Sequence, residues 1–106
     1  METALKAIAA PRRRQILTLV RDGELSAGEI ASHFEVTRPA VSQDLTLLKE
    51  AVLVSERRNG TQRLYRARPE GLVDVKAFVE DFWDPRLEAL KREAEREEKR
   101  KHGNYG

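Results

Sequence analysis

The chain has 106 residues, 40% of them hydrophobic and 36% charged, so we expect one soluble domain with a modest core. It contains no cysteine, which excludes disulfides, thiolate metal sites and cysteine catalysis. The first residues lack the basic-then-apolar pattern of a signal peptide, and no apolar run is long enough to cross a membrane, so we expect a cytoplasmic location.

Charge is distributed unevenly along the chain, although the formal net charge is only +2. Residues 1–68 hold 12 Lys/Arg against 8 Asp/Glu, a balance of +4. Residues 69–106 hold 8 Lys/Arg against 10 Asp/Glu, a balance of −2. The first part is therefore suited to a polyanion, and the second to a solvated or helix-pairing surface.

Two helices are predicted at the start of the chain. Residues 3–10 are Ala-rich, and Leu5 and Ile8 form a narrow apolar seam that covers the core, joins a dimer surface, or does both. Pro11 begins a second helix, which we expect to run to Asp22.

Three consecutive cations, Arg12, Arg13 and Arg14, open the second helix. Positive charge at a helix start opposes the helix dipole. A phosphate bound at that end would relieve the conflict, and simple solvation of the arginines is the alternative.

A capping box marks the next helix. Ser26 and Glu29 have the spacing at which each side chain satisfies the other's backbone N–H. The short helix that follows has Ile30, Ala31 and Phe34 as its apolar face.

Residues 37–51 predict a helix with two different faces. Thr37 caps its start, and Val41, Leu45 and Leu48 have the spacing of a core-facing stripe. The opposite face carries Arg38, Pro39, Ser42, Gln43, Thr46 and Lys49. Such side chains read base edges in a major groove, so we interpret this segment as the recognition helix of a helix-turn-helix.

A β-hairpin, which we call the wing, is predicted directly after that helix. We expect strands at 54–57 and 63–67 joined by a turn at 58–62, because Asn59-Gly60 readily takes the positive φ of hairpin turns. The wing carries Arg57, Arg58, Arg63 and Arg66. These cations either contact DNA phosphates or guard the strand edges against aggregation.

Pro69 begins a last, long helix in this interpretation. Its apolar stripe comprises Leu72, Val75, Phe78, Val79 and Phe82, with Trp83 beside it. Asp84-Pro85 should interrupt the helix, with Asp84 capping a second, charged segment. We therefore predict a winged helix-turn-helix, mainly α with a β-hairpin wing in the order α-α-α-α-β-β-α, as a DNA-binding and dimerisation domain at 1–82. A charged helical extension follows at 83–106.

Four ordered segments resemble the ArsR/SmtB family of winged-helix repressors over about residues 3–82. They are 11–17, 24–31, 39–51 and Tyr65-Arg66. The resemblance implies a homodimer joined by its first and last helices that binds a two-fold operator of double-stranded DNA.

Three departures from that family are informative. Arsenic-type members carry cysteines where this chain has Leu25, Ser26 and Gly28. Zinc-type members carry Asp/His and His/Glu pairs on the last helix, where this chain has Asp74 but no histidine before His102. We therefore expect no metal and no cofactor. The family usually has histidine where Asp44 stands, and an acid near phosphates would be costly unless it turned inward or met an arginine.

The resulting DNA-binding set divides by role. Arg38, Ser42 and Gln43 would reach base edges, and Pro39 and Thr46 would meet a thymine methyl. The backbone and wing contacts would come from Arg12, Arg13, Ser26, Thr37, Arg57, Arg58, Asn59 and Arg63. The dimer interface would comprise Leu5, Ile8, Leu72, Val75, Phe78, Val79, Phe82 and Trp83.

Two other functions are weaker. A winged-helix module that docks a protein would need a more apolar reading face than Arg38, Ser42 and Gln43 provide. An enzyme would need a glycine-rich phosphate loop or a supported Ser/His/Asp set, and the sequence has neither.

Overall fold

The structure is a computed structural model that describes residues 1–83 and 85–104, with 87 and 99–104 described as backbone only. The elements are α1 (Glu2–Ala9), α2 (Pro11–Leu19), β1 (Leu25–Ser26), α3 (Ala27–Ala31), α4 (Arg38–Glu50), β2 (Val54–Asn59), β3 (Gln62–Ala67), a 3-10 turn (Pro69–Leu72), α5 (Val73–Phe82) and α6 (Pro85–Asn104). The chain divides into two compact units, Met1–Val75 and Lys76–Gly106. This division falls inside α5, and the boundary expected after residue 82 stays a prediction.

One face of α4 is buried in the core of the first unit. Val41, Leu45 and Leu48 are buried, as their spacing predicts. They belong to a cluster with Ala7, Ile16, Val20, Ile30, Ala51, Leu53 and Val54. Full burial of one such Leu or Ile side chain stabilises a fold by about 1.5–3 kcal/mol. Because the apolar stripe is buried, the polar side of α4 is left facing outward.

Local caps fix where α3 and α4 begin. The Glu29 N–H donates to Ser26 Oγ and the Ser26 N–H donates to Glu29 Oε1, both at 3.2 Å, which confirms the capping box. The Ala40 N–H donates to Thr37 Oγ1 at 3.3 Å, which confirms the second cap. The two helices and their connection form the predicted helix-turn-helix.

The end of α4 is a Schellman motif with a valine in the glycine position. The Val52 N–H donates to the Lys49 carbonyl at 3.0 Å, and the Leu53 N–H donates to the Leu48 carbonyl at 2.9 Å. Val52 has a φ of 59°, in the left-handed region. A Cβ at Gly71 would lie 2.3 Å from the Val52 carbonyl oxygen, so position 71 has no room for a side chain.

The wing belongs to a three-stranded antiparallel sheet in the order β1-β3-β2. Leu25 and Ser26 of β1 pair with Tyr65 and Leu64 of β3. The sequence does not predict β1, because two residues are too few to show an alternation. This short strand ties the start of α3 to the wing.

The hairpin turn is shorter than the sequence predicts. The strands reach Asn59 and resume at Gln62, which leaves Gly60 and Thr61 as the turn. Gly60 has a φ of 64°, as the first position of a type II′ turn requires. The predicted turn at 58–62 is therefore wrong. The difference matters because a shift of the strand pairing by one residue moves every side chain to the opposite face of the sheet.

Two helix boundaries also differ from the prediction. α2 ends at Leu19, not at Asp22, because the carbonyl of the buried Val20 accepts the Ala67 N–H at 2.9 Å and the chain leaves the helix to meet β3. The last helix opens with a 3-10 turn at Pro69–Leu72 before α5 begins. α6 begins at Pro85, as predicted, and the predicted cap Asp84 lies outside the described residues.

The second unit consists of α6 and all but the first turn of α5. Phe78 and Phe82 stack with ring centroids 6.2 Å apart, and both side chains are exposed. On α6, Arg92 Nη2 lies 3.1 Å from Glu88 Oε1, a pair one helical turn apart. Within residues 1–83 and 85–104, no helix is both long and apolar enough to span a membrane.

Candidate nucleic-acid interface

The outward side of α4 presents polar side chains that the fold hardly uses. All of the predicted reading residues are exposed: Arg38, Pro39, Ser42, Gln43, Thr46 and Lys49. Thr46 Oγ1 donates to the Ser42 carbonyl at 3.0 Å, one turn back along the helix. Gln43 has no side-chain hydrogen bond within the part of the chain that the structure describes. An amide that is free to donate and accept suits the edge of an adenine.

Arg38 lies at the start of α4 and reaches over α3. A Cβ at Gly28 would lie 3.7 Å from Arg38 Nη2, so the guanidinium rests on the first turn of α3. Arg38 has no ion-pair partner among the described residues, and its charge is available to DNA. Ser26, by contrast, is buried, and its oxygen accepts the cap hydrogen bond. Its contact with DNA stays a prediction.

Asp44 turns inward from α4 and meets two arginines. The side chain belongs to a residue only 3% exposed, and its Oδ2 accepts from Arg12 Nε at 2.5 Å. Arg13 Nη1 donates to Asp44 Oδ1 at 3.4 Å. The hydrogen bond and the charge of Asp44 raise the pKa of Arg12. Asp44 therefore fastens α4 to α2 and faces away from the exposed polar side of the helix.

The arginines at the start of α2 also bind the end of α1. Arg13 donates to the Ala7 and Lys6 carbonyls at 2.7 and 3.0 Å, and Arg14 Nη1 donates to the Ile8 and Ala9 carbonyls at 2.7 and 3.1 Å. These carbonyls are the negative end of the α1 dipole. Intramolecular partners thus offset the charge conflict that a bound phosphate would have relieved. For Arg12 and Arg13, a phosphate contact stays a prediction.

The observed register sorts the wing arginines onto two faces. Glu56 lies opposite Tyr65 and Arg58 opposite Arg63, and since side chains alternate along a strand, these four share one face. Arg57 lies opposite Leu64 on the other face. The face with Glu56 is the one that borders α4, because Lys49 of α4 reaches it. The wing is therefore not a uniformly basic surface.

Glu56 holds one cation from α4 and one from the wing. Lys49 Nζ donates to Glu56 Oε2 at 3.1 Å, and Arg63 Nη1 donates to Glu56 Oε1 at 3.0 Å. Burial would raise the pKa of Glu56, but the hydrogen bond from Lys49 and the charges of Lys49 and Arg63 outweigh it, so this pKa is lowered. Burial, and then the charge of Glu56, raise the pKa of Tyr65.

On the opposite face, Arg57 is held by an acid from before β1. Arg57 Nε and Nη2 donate to the two carboxylate oxygens of Glu24 at 2.9 and 3.0 Å. The hydrogen bond with Arg57 lowers the pKa of Glu24. Arg58, in contrast, is exposed and has no ion-pair partner among the described residues. Of the wing residues Arg57, Arg58 and Arg63, the first and the last are paired, and Arg58 has no ion pair among the described residues.

The sequence did not predict that Glu24 and Glu56 form ion pairs with the cations of this surface. The signal for Glu56 was present, because a two-residue turn at Gly60-Thr61 places it diagonally across from Arg63. Glu24 offered no such signal, since its pairing with Arg57 depends on the unpredicted strand β1. Within the described ranges, no group of three or more His, Asp or Glu residues could hold a metal ion.

Residues 10–56 match the model of a family described as bacterial regulatory protein, arsR family. The chain is similar to the HTH-type transcriptional regulator Rv2034 of Mycobacterium tuberculosis, with 42% identity over 82 residues that cover 77% of each chain. It is also similar to the transcriptional repressor SdpR of Bacillus subtilis, with 43% identity over 82 residues that cover 77% of this chain and 91% of the relative.

Solved structures share this fold. A crystal structure described as a possible transcriptional regulator for arsenical resistance superposes with a TM-score of 0.71 at 37% identity, covering 86% of this chain and 95% of the other. A homodimeric winged helix-turn-helix DNA-binding domain, Mb0332 from Mycobacterium bovis, superposes with a TM-score of 0.63 at 34% identity, covering 76% and 75%.

Proposed function

The chain belongs to the ArsR family of bacterial regulatory proteins, and on that premise we propose that it is a homodimeric repressor that occupies an inverted-repeat operator. Family membership makes it a DNA-binding transcriptional regulator and not an enzyme. The proposal adds the symmetry of the operator, the direction of regulation and the residues that make the contacts. Repression needs no chemistry, because a bound dimer excludes polymerase from the promoter.

The observation that carries the proposal is the division of α4 into a fixed side and a free side. Val41, Asp44 and Leu48 anchor the helix from within, so the same side of α4 always faces outward. Arg38, Ser42 and Gln43 are assigned to base edges, and Pro39 and Thr46 to a thymine methyl. Thr37, Arg58 and Asn59 are assigned to the backbone, joined by Arg57 and Arg63 as their exposed ion pairs exchange for phosphates, and by Arg12 through the Nη groups that Asp44 does not hold.

Exposed apolar side chains on α1 and α5 support the homodimer. Leu5 of α1 is exposed, and Phe78, Val79 and Phe82 are exposed on α5. Phe78, Val79 and Phe82 lie within about one helical turn of each other on α5, and an exposed apolar group of this kind marks an interaction surface. The similar domain from Mycobacterium bovis is homodimeric. A two-fold dimer presents two copies of α4 and therefore selects a two-fold DNA site.

The proposal is tested by selecting duplexes from a random pool at near-physiological salt. We expect enrichment of an inverted repeat whose half-sites lie about one helical turn, ~34 Å, apart. Gln43→Ala, selected in parallel, should lose ~1–3 kcal/mol on the best site and relax one base position in each half-site.

Two results would contradict these assignments. If the pool yields no inverted repeat and binding is only weak and salt-sensitive, the operator proposal fails. If Gln43→Ala weakens all duplexes equally, Gln43 is not a reader. The selected site, placed before a reporter gene, gives the direction of regulation: expression should fall when the protein is present, and a rise would exclude repression.

A further inference from the structure

A cleft of about 400 Å³ lies between α4 and the wing, and the two cations that line it meet at one carboxylate. The two oxygens of Glu56 are divided between Lys49 from α4 and Arg63 from β3, at 3.1 and 3.0 Å. One acid therefore bridges the two elements assigned to DNA and cancels a positive charge on each. We call Lys49, Glu56 and Arg63 the cleft triad.

The donors of the cleft triad are those that a DNA phosphate would use. An ammonium, a guanidinium and nearby hydroxyls bind phosphate oxygens as they bind a carboxylate. Of the two hydroxyl residues that line the same cleft, Ser42 has no side-chain hydrogen bond among the described residues, whereas Thr46 Oγ1 already donates to the Ser42 carbonyl. A phosphate entering between α4 and the wing would therefore compete with Glu56 for its partners.

The exposed fractions of the three side chains allow a phosphate to replace Glu56 at the two cations. The side chains of Lys49 and Arg63 are 54% and 59% exposed, whereas that of Glu56 is 17% exposed. Ion pairs with exposed cations are weak and are screened by salt, so they break without unfolding anything. Glu56 stays in place while the two cations are free to turn outward.

The register gives a second reason for an acid at this position. Arg58 lies directly opposite Arg63, and like charges in such a pair repel. Glu56 neutralises Arg63 and so relieves that repulsion in the free protein. When a phosphate takes over Arg63, it also approaches the uncompensated charge of Arg58.

We propose that Glu56 is an internal substitute for a DNA phosphate, which occupies Lys49 and Arg63 in the free protein and in non-specific complexes and releases them only to a correctly seated operator. This inference rests on the proposed function. It makes Glu56 a specificity-determining residue that touches no base. Its effect is to weaken binding to arbitrary DNA more than binding to the operator.

The first test compares Glu56→Gln with Glu50→Gln on a duplex of arbitrary sequence. Glu50 lines the same cleft but has no ion pair within the described residues, so its variant removes the same charge without freeing a cation. With two more phosphate contacts, Glu56→Gln should steepen the slope of log K against log salt by about 2. Its affinity relative to wild type should therefore rise roughly tenfold more at 50 mM than at 200 mM salt. An equal change in the two variants would overturn the proposal.

The second test uses the selected operator. Glu56→Gln should raise affinity for the operator less than for arbitrary DNA, so the ratio of the two affinities falls, and it falls further at 50 mM than at 200 mM salt. An unchanged ratio, or weaker binding to both duplexes by a variant with a wild-type melting curve, would overturn the proposal. The arbitrary-sequence test needs no operator, so it remains decisive even if the proposed repressor function fails.

A reciprocal variant covers the case in which Glu56→Gln fails to fold. Lys49→Gln combined with Arg63→Gln removes the cations and leaves the acid. Because these cations are neutralised in the non-specific complex, we expect a large loss of operator affinity and little change for arbitrary DNA. An equal loss on both duplexes would show that the cations are never held by Glu56 during binding.

Discussion

Val52 adopts a backbone conformation that a β-branched residue seldom takes. Its φ of 59° closes the Schellman motif at the end of α4, and its side chain is 48% exposed. The left-handed conformation costs a non-glycine residue about 1–2 kcal/mol. Glycine avoids that cost but loses about 0.5–1 kcal/mol more through the entropy of the unfolded chain.

We therefore expect Val52→Gly to stabilise the protein by about 0.5–1 kcal/mol, since the strain relieved exceeds the entropy lost. The midpoint of urea unfolding should rise without a change in slope. Val52→Ala is the matched control: it keeps a Cβ and should recover little of the gain. A lower midpoint for Val52→Gly would mean that the valine side chain contributes more than its backbone costs.

Asp44 is a second residue whose effect is easily measured. Replacing it with Asn keeps the shape but removes the charge that accepts from Arg12 and Arg13. A hydrogen bond to a charged group contributes about 1.5–3 kcal/mol, so we expect Asp44→Asn to destabilise the fold by about that amount. Arg12→Ala should cost less, because Arg13 remains beside the acid. If Asp44→Asn melts like the wild type, the inward pair does not fasten α4.

At the scale of elements, two neighbouring arginines of the wing differ in whether an acid pairs with them. Arg57 is held bidentately by Glu24, and Arg58 has no ion pair in the described part of the chain. We expect Arg58→Ala to reduce the slope of log K against log salt by about 1, on operator and arbitrary DNA alike. Arg57→Ala should reduce it less, because its charge is already matched. The measurement is a salt titration of DNA binding by both variants. Equal reductions of the slope would contradict the expectation that the ion pair with Glu24 lessens the contribution of Arg57.

The elements also show which parts of the structure a sequence can predict. The burial pattern of α4 and both helix caps were predictable, because they depend on residues within one or two turns of each other. The turn was predicted at 58–62, and the structure has it at Gly60-Thr61. Arg58 was therefore placed in the turn, and its pairing with Arg63 across the two strands was not predicted. The partners of Asp44 lie more than thirty positions away on α2. The sequence therefore predicted that Asp44 should turn inward or meet an arginine, but not which arginine it meets.

At the scale of the whole molecule, the proposed dimer depends on exposed apolar groups of α5. Phe82 is 81% exposed, and we expect Phe82→Glu to convert the protein to a monomer in sedimentation experiments. Because a monomer holds only one half-site, its operator affinity should fall by about 100-fold or more. Leu90→Glu on α6 is the matched control, since Leu90 is also exposed but lies outside the proposed interface. Dissociation by Leu90→Glu, or by neither variant, would contradict the assigned surface.

The attachment of α4 through its buried side has a consequence for how regulators with this fold diversify. The groups that hold the helix, Asp44 and the stripe of Val41, Leu45 and Leu48, are separate from those that face outward. Exposed substitutions away from such anchors usually change stability by less than about 0.5 kcal/mol. Positions 38, 42, 43 and 46 are therefore free to change in evolution, or in a designed library, without endangering the fold. On the proposed assignment of these positions to bases, single substitutions there would change the operator at a stability cost of less than about 0.5 kcal/mol each.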